Sequence, residues 1–104
     1  MPCKIIFAKI DTQDKASQIA KDMLKKNLAL FIDIIETKTY LKTMGNVIKD
    51  KKEYLLIAKT NSSLIGKAKK HLLKHISFER CDLVIFDTSD MSARLDMLLE
   101  KLNL

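Results

Sequence analysis

Residues 53–60 read Glu-Tyr-Leu-Leu-Ile-Ala-Lys-Thr, a run of β-favouring apolar side chains that predicts a strand. Because successive side chains of a strand point to opposite faces, Leu55 and Ile57 would lie on one face of the sheet and Leu56 on the other. A strand with one face in water normally alternates apolar and polar residues. This stretch therefore predicts a strand that is apolar on both faces.

The two preceding β-rich runs show the same two-sided pattern. Residues 3–10 place Ile5 and Phe7 on one side and further apolar residues on the other, and residues 29–42 carry apolar side chains in both registers. A contiguous apolar sheet face is rarely left in water on a monomer. We therefore expect a second copy of the sheet to cover it in a closed homo-oligomer. The alternative is that a C-terminal helix folds under the sheet.

Two segments show the apolar spacing of amphipathic helices. Asp11 or Thr12 is placed to cap the first helix, which ends near Asn27, and Ser62 is placed to cap the second. The predicted apolar stripes comprise Ala16, Ile19, Ala20, Met23 and Leu24 in the first helix, and Ile65, Ala68, Leu72 and Ile76 in the second. Each stripe is suited to cover one face of the sheet.

The order of the elements completes the predicted fold. Residues 44–46, Met-Gly-Asn, predict the turn of a long hairpin between the second and third strands, whose length suggests a bulge or a bend. Residues 82–87 predict a short fourth strand, and Ser89 or Asp90 begins a last helix. The order βαββαβ plus a C-terminal helix predicts an α+β, ferredoxin-like sandwich, with strands one and three central. We expect a single domain over residues 1–104.

Composition and charge limit the classes of partner and the cellular location expected for the protein. Hydrophobic residues make up 47% and charged residues 31% of the 104 residues, the balance of a folded domain, and the formal net charge is +6. Only Arg80 and Arg94 among the 19 basic residues are arginines, whereas specific phosphate and base recognition favours arginine, so we expect no nucleic-acid partner. No uncharged run approaches the ~20 residues that span a bilayer, and residues 1–4 lack the apolar stretch of a secretory signal. These features predict a cytoplasmic protein with no membrane partner.

Several local strings resemble the CutA divalent-cation tolerance family. The matching pieces are the string at residues 11–16, the helix end at residues 25–29, the turn at Gly45, and residues 53–60 with their closing Lys-Thr. The resemblance implies ferredoxin-like subunits in a tight, PII-like homotrimer whose long hairpins interlock neighbouring subunits. It also implies a role in the response to divalent metal ions such as copper rather than an established reaction.

The chain departs from the family pattern at residues that bear on metal binding. The family usually has cysteine where Phe31 stands and histidine where Ile76 stands, and its glutamate is replaced by the shorter Asp82. His75 is the immediate neighbour of the family histidine position. We therefore predict His75, Cys81 and Asp82 as metal ligands, because copper and zinc favour imidazole and thiolate donors.

Two further patterns concern the same residues. His71 and His75 lie four residues apart, the spacing that brings two imidazoles together on a helix for a metal. The alternative is two surface histidines beside a buried thiol at Cys81. Cys3 and Cys81 are expected to remain separate thiols, because antiparallel first and last strands would place Cys3 across from the far end of the last strand.

The sequence gives less support to other functions. We predict no enzymatic activity, because the chain has no nucleophile elbow, P-loop, zinc-protease motif or dinucleotide fingerprint. An RNA-binding sheet would need exposed aromatic side chains, for which Phe7 and Tyr54 are the candidates. The main alternative is a PII-like trimer that binds a small anion or a partner protein, with Lys59 or Arg80 contributing.

Overall fold

The computed structural model describes residues 3–75 and 83–88. Its elements are β1 (Cys3–Ile10), α1 (Gln13–Lys25), β2 (Phe31–Lys42), β3 (Ile48–Asn61), α2 (Ile65–Leu72) and β4 (Leu83–Thr88). The four strands form one antiparallel sheet in the order β2-β3-β1-β4, so β1 and β3 are central as predicted. The chain therefore has an α+β fold. The helix predicted to begin at Ser89 or Asp90 lies outside the described residues.

The first helix forms as its sequence predicts. The Thr12 hydroxyl accepts a hydrogen bond from the Lys15 N–H at 3.2 Å and caps the helix. At the other end Asn27 adopts a left-handed conformation with φ of 54°, which asparagine tolerates better than most residues. Ala16, Ile19, Ala20 and Met23 are buried, whereas the predicted fifth member of the stripe, Leu24, is exposed.

The second helix begins differently from the prediction. Ser62 is exposed and does not cap α2, because the residue that precedes the helix is Leu64, and no side chain caps it. Instead the Asn61 Oδ1 accepts hydrogen bonds from the Ser63 and Leu64 N–H groups, at 3.0 and 3.1 Å. An asparagine side chain thus organises the turn that joins β3 to α2.

The hairpin between β2 and β3 is long and regular. Every residue from Phe31 to Lys42 pairs with the residues from Lys59 back to Ile48 in one continuous register, so the expected bulge is absent. The turn closes through the Thr43 N–H, which donates to the Val47 carbonyl at 2.8 Å. The two strands therefore continue beyond the sheet as an uninterrupted two-stranded extension.

The hydrophobic core lies between one face of the sheet and the two helices. Ile6, Leu56 and Leu72 are completely buried there, and half-buried residues of β2 and β4 pack around them. Within residues 3–75 and 83–88, neither helix is long and apolar enough to cross a membrane. The helices thus cover one face of the sheet, and the opposite face carries the features described next.

Candidate functional site

The face of the sheet opposite the helices is apolar across all four strands; we call it the open face. Directly paired residues of neighbouring strands share a face, so the register groups the open face into rows. One row is Phe31, Lys59, Ile5 and Phe86, the next is Asp33, Ile57, Phe7 and Val84, and the third is Ile35, Leu55 and Lys9. The two-sided apolar pattern predicted from the sequence is therefore present in the fold.

Apolar side chains of the two outer strands are exposed on the open face, and those of the two central strands are half-buried. Phe31 and Phe86 are each 45% exposed and Ile35 is 48% exposed. The Phe7 and Phe86 rings meet edge to face with centroids 5.0 Å apart, and the Lys59 Nζ lies 5.9 Å from the centre of the Phe31 ring. This surface has the composition of an interface rather than of a solvated surface.

The hairpin extends well past the sheet. Because β1 ends at Ile10, opposite Tyr54, residues 37–53 form a two-stranded arm, and no other strand in the described part of the chain pairs with it. The large apolar side chains exposed on the arm are Tyr40, Leu41, Met44, Val47 and Ile48. A lone two-stranded ribbon is marginally stable in water, so the arm needs a surface to pack against.

A polar cluster lies where the arm leaves the open face. The Lys9 Nζ lies 2.8 Å from the Thr39 Oγ1 and 3.3 Å from the Thr37 Oγ1. The Thr37 hydroxyl donates to the Glu53 carbonyl at 3.1 Å, and the buried Glu53 carboxylate lies 3.6 Å from the Lys51 Nζ. These contacts connect the base of the arm to the end of β1 and link its two strands.

The two histidines lie in different environments. The ring of His71 is buried on the inner side of α2, and its Nε2 has no hydrogen-bond partner, whereas His75 is exposed in the turn that follows. Their ring centroids are 5.6 Å apart. Burial lowers the pKa of His71, and the charges of Lys26, His75 and Lys74 lower it further, against the opposing effect of Asp22.

These surroundings decide which histidine is available to a metal. His71 is neutral near pH 7, but its buried Nε2 is inaccessible to an ion from solvent, and cationic groups stand around it. His75 is accessible. Its predicted co-ligands Cys81 and Asp82 lie outside the described residues. Within residues 3–75 and 83–88, no group of three histidine, cysteine or acidic side chains is arranged to hold a metal.

The sheet register also fixes the positions of the two candidate RNA-stacking aromatics and of Cys3. The pair of aromatics considered for RNA stacking is wrong, because Phe7 lies on the open face whereas Tyr54 pairs with Ile10 on the helix side and packs against the core. Cys3 pairs with Thr88 at the far end of β4, as the antiparallel arrangement required, and Cys81 lies outside the described residues. The burial of His71 carries no clear signal in the sequence.

The fold matches solved structures of one class of protein. CutA from Archaeoglobus fulgidus, described as a periplasmic divalent cation tolerance protein, superposes with a TM-score of 0.81 at 18% identity, covering 96% of this chain and 97% of that one. CutA1 from Ehrlichia chaffeensis gives a TM-score of 0.85 at 14% identity over 98% and 95% of the two chains. CutA1 from Oryza sativa gives 0.82 at 14% identity over 98% and 94%. At such identities the similarity defines the fold, which is that of the CutA proteins.

The sequence itself places the chain within this class. The profile of the family described as CutA1 divalent ion tolerance protein matches residues 4–98, which is most of the chain. The chain belongs to the CutA1 divalent ion tolerance family. No curated protein matches it by sequence. Membership implies a role in divalent ion tolerance, and the family description names that tolerance rather than a reaction.

Proposed function

We propose that this protein acts in divalent ion tolerance as a homotrimeric, non-enzymatic binding protein built from ferredoxin-like subunits. The observation that carries the proposal is the open face, where exposed apolar side chains of β2 and β4 flank half-buried apolar side chains of β1 and β3. A ring of three copies, like a PII-like trimer, would cover this face in each subunit. The proposal places the protein in the cytoplasm.

The arm supports the same assembly. Residues 37–53 carry exposed apolar side chains and have no third strand beside them within the described residues, so in isolation they bury little surface. An arm that lies against a neighbouring subunit would bury these side chains and gain partners for its edges. The Lys9 contacts with Thr37 and Thr39 fasten the base of the arm to its own sheet, so that the rest of the arm is available to pack against a neighbouring subunit.

The assembly is tested by absolute mass in solution, measured by light scattering coupled to size exclusion. We expect three times the chain mass of 11.9 kDa. Ile35→Asp places a carboxylate among the exposed apolar side chains of the open face and is expected to reduce the mass to that of one chain. Gln13→Asp adds the same carboxylate at the start of α1, where acidic residues are favoured, and leaves the mass unchanged. A wild-type monomer would overturn the proposal.

The metal part of the proposal rests on donor chemistry. We propose His75, Cys81 and Asp82 as ligands of copper or another divalent cation at a subunit boundary. His75 is exposed and therefore accessible to an ion, and imidazole, thiolate and carboxylate together suit a borderline metal. The family cysteine position is taken by Phe31 on the open face, so the proposed site does not use that position.

Calorimetric titration with copper and zinc tests this site. His75→Ala and Cys81→Ser should each weaken binding by at least about tenfold, since each removes one ligand. Asp50→Asn removes an exposed carboxylate on the arm and should leave the affinity unchanged. Equal affinity of wild type and His75→Ala would refute the ligand set without affecting the trimer.

A PII-like module that binds a small anion or a partner protein is the second candidate. Lys9 and Lys59 both lie on the open face, and within the described residues neither has a carboxylate within 4.0 Å. At a subunit boundary these ammonium groups would attract an anion, and Arg80 is proposed to assist. Thermal stabilisation by phosphate or a nucleotide in the presence of a chelator would favour this function over metal binding.

A further inference from the structure

Positive charge is concentrated on the outer side of the helix layer. The exposed lysines of the C-terminal half of α1, of the residue after it, and of α2 and its extension form what we call the lysine surface: Lys21, Lys25, Lys26, Lys67, Lys69, Lys70 and Lys74. The segment from Ile65 to His75 contains four lysines and no acidic residue, so no carboxylate within this segment offsets their charge. The charge of this surface is much denser than the formal net charge of +6 for the whole chain suggests.

Three of the five lysines of the arm are paired with carboxylates, whereas in the described part of the chain the members of the lysine surface are not. The Lys52 Nζ lies 2.9 Å from a Glu36 carboxylate oxygen, and the Lys38 Nζ lies 3.6 Å from a carboxylate oxygen of Asp50. Among the residues that the structure describes, no member of the lysine surface has a carboxylate oxygen within 4.0 Å. Within the described residues these ammonium groups are therefore not held in ion pairs.

The two helices that carry the lysine surface lie side by side, because α1 and α2 contact each other and contribute to the same core cluster. Lys26, directly after α1, and Lys74, just beyond α2, both lie close enough to His71 to lower its pKa. Lys67, Lys70 and Lys74 follow one another at three- and four-residue spacing along one side of α2 and its extension. The ends of the two helices thus form one cationic surface.

We propose that the lysine surface docks an acidic segment of a partner protein. The match is one of charge, because a row of unpaired ammonium groups attracts carboxylates at physiological ionic strength. A nucleic acid fits this surface less well, since the sequences of α1 and α2 contain no arginine to grip phosphates and no phenylalanine, tyrosine or tryptophan to stack on bases. The lysines lie on the helix side, away from the open face, so docking and self-assembly use separate surfaces.

The test is binding of a fluorescein-labelled, glutamate-rich peptide to the full chain, followed by anisotropy over a range of salt concentrations. Binding should weaken steadily as salt is raised. The double variant Lys70→Gln/Lys74→Gln should reduce affinity by about fivefold, as expected for two exposed charge pairs. The control Lys15→Gln/Lys42→Gln removes the same net charge elsewhere and should change affinity by less than about twofold.

Three results would overturn the proposal. Equal losses in both double variants would show attraction to the overall charge rather than to this surface. Tighter binding of a single-stranded oligonucleotide of equal charge would identify a nucleic-acid site instead. Absence of peptide binding at low salt, with the mass and circular dichroism of wild type intact, would also reject it. Because none of these readouts depends on a trimer or a metal, failure here is distinguishable from failure of the proposed function.

Discussion

The two faces of the sheet are built from the same kinds of side chain, yet they end in opposite environments. On the helix side Ile6 and Leu56 are fully buried, whereas on the open face Phe31 and Phe86 remain 45% exposed. Hydrophobicity along the strands does not distinguish these faces. The difference shows that α1 and α2 complete one face, whereas the other is the face that the proposed assembly would cover.

The largest predicted effect compares two adjacent residues of β3. Leu56 packs in the covered core, and Leu56→Ala should lower the free energy of unfolding by about 2–5 kcal/mol, through lost burial and the cavity it leaves. Leu55 points to the open face and is half-buried in the single chain. Urea unfolding of both variants measures the contrast between the faces directly.

The effect of Leu55→Ala on stability distinguishes an open face that is covered in solution from one that remains in water. If another subunit covers the open face in solution, Leu55→Ala should approach the cost of Leu56→Ala, and the unfolding midpoint should depend on protein concentration. If the face stays in water, Leu55→Ala should cost less than about 1 kcal/mol. The second outcome would contradict the proposed assembly.

A smaller effect is expected at the start of the helix layer. Thr12→Ala removes the hydroxyl that accepts from the Lys15 N–H, and we expect the free energy of unfolding to fall by about 1 kcal/mol. Gln13→Ala, one residue later on the exposed surface, should change it by less than about 0.5 kcal/mol. Thermal denaturation of the two variants checks this. Equal changes in the free energy of unfolding would mean that the Thr12 cap does not stabilise the fold.

The smallest effect concerns His71 and is confined to acidic pH. Its pKa in the folded chain lies below the ordinary value of 6.5, chiefly because of burial and then because of the nearby Lys26. The unfolded chain therefore binds a proton more readily, and stability falls as pH is lowered through 6.5 towards the folded-state pKa. His71→Gln should flatten this decline in urea unfolding measured on both sides of that pH.

His75→Gln is the matched control for this prediction. His75 is exposed, so its replacement should remove only its repulsion of the His71 charge and leave most of the pH dependence in place. An identical pH profile for wild type and His71→Gln would show that the buried imidazole is not the group that titrates on unfolding.

Local sequence patterns predicted most of the fold. The bounds of β1 agree with the prediction, and the Thr12 cap and the left-handed Asn27 were expected from residue type. The α2 start was missed because Asn61, a buried strand-end residue, caps the turn in place of Ser62. The regular hairpin was missed because a register depends on two strands at once, which no single run of residues specifies.

The candidate site was predicted less completely than the fold. The open face follows from alternation along each strand, a local property, so its residues were identified before the strands were paired. The burial of His71 and the position of Tyr54 on the helix side depend on which element packs above them. The contrast between paired lysines on the arm and unpaired lysines on the helices likewise requires knowing which carboxylates lie nearby in space.

The sequence by itself determined the strands and helices, the apolar character of both sheet faces and the excess of positive charge, because these depend on residue type and short-range spacing. Only the tertiary structure decided which face the helices cover, how far the hairpin extends past β1, and where positive charge remains uncompensated. Those outcomes arise from contacts between residues distant in the chain. Their energies depend on distance and burial, which a linear pattern does not contain.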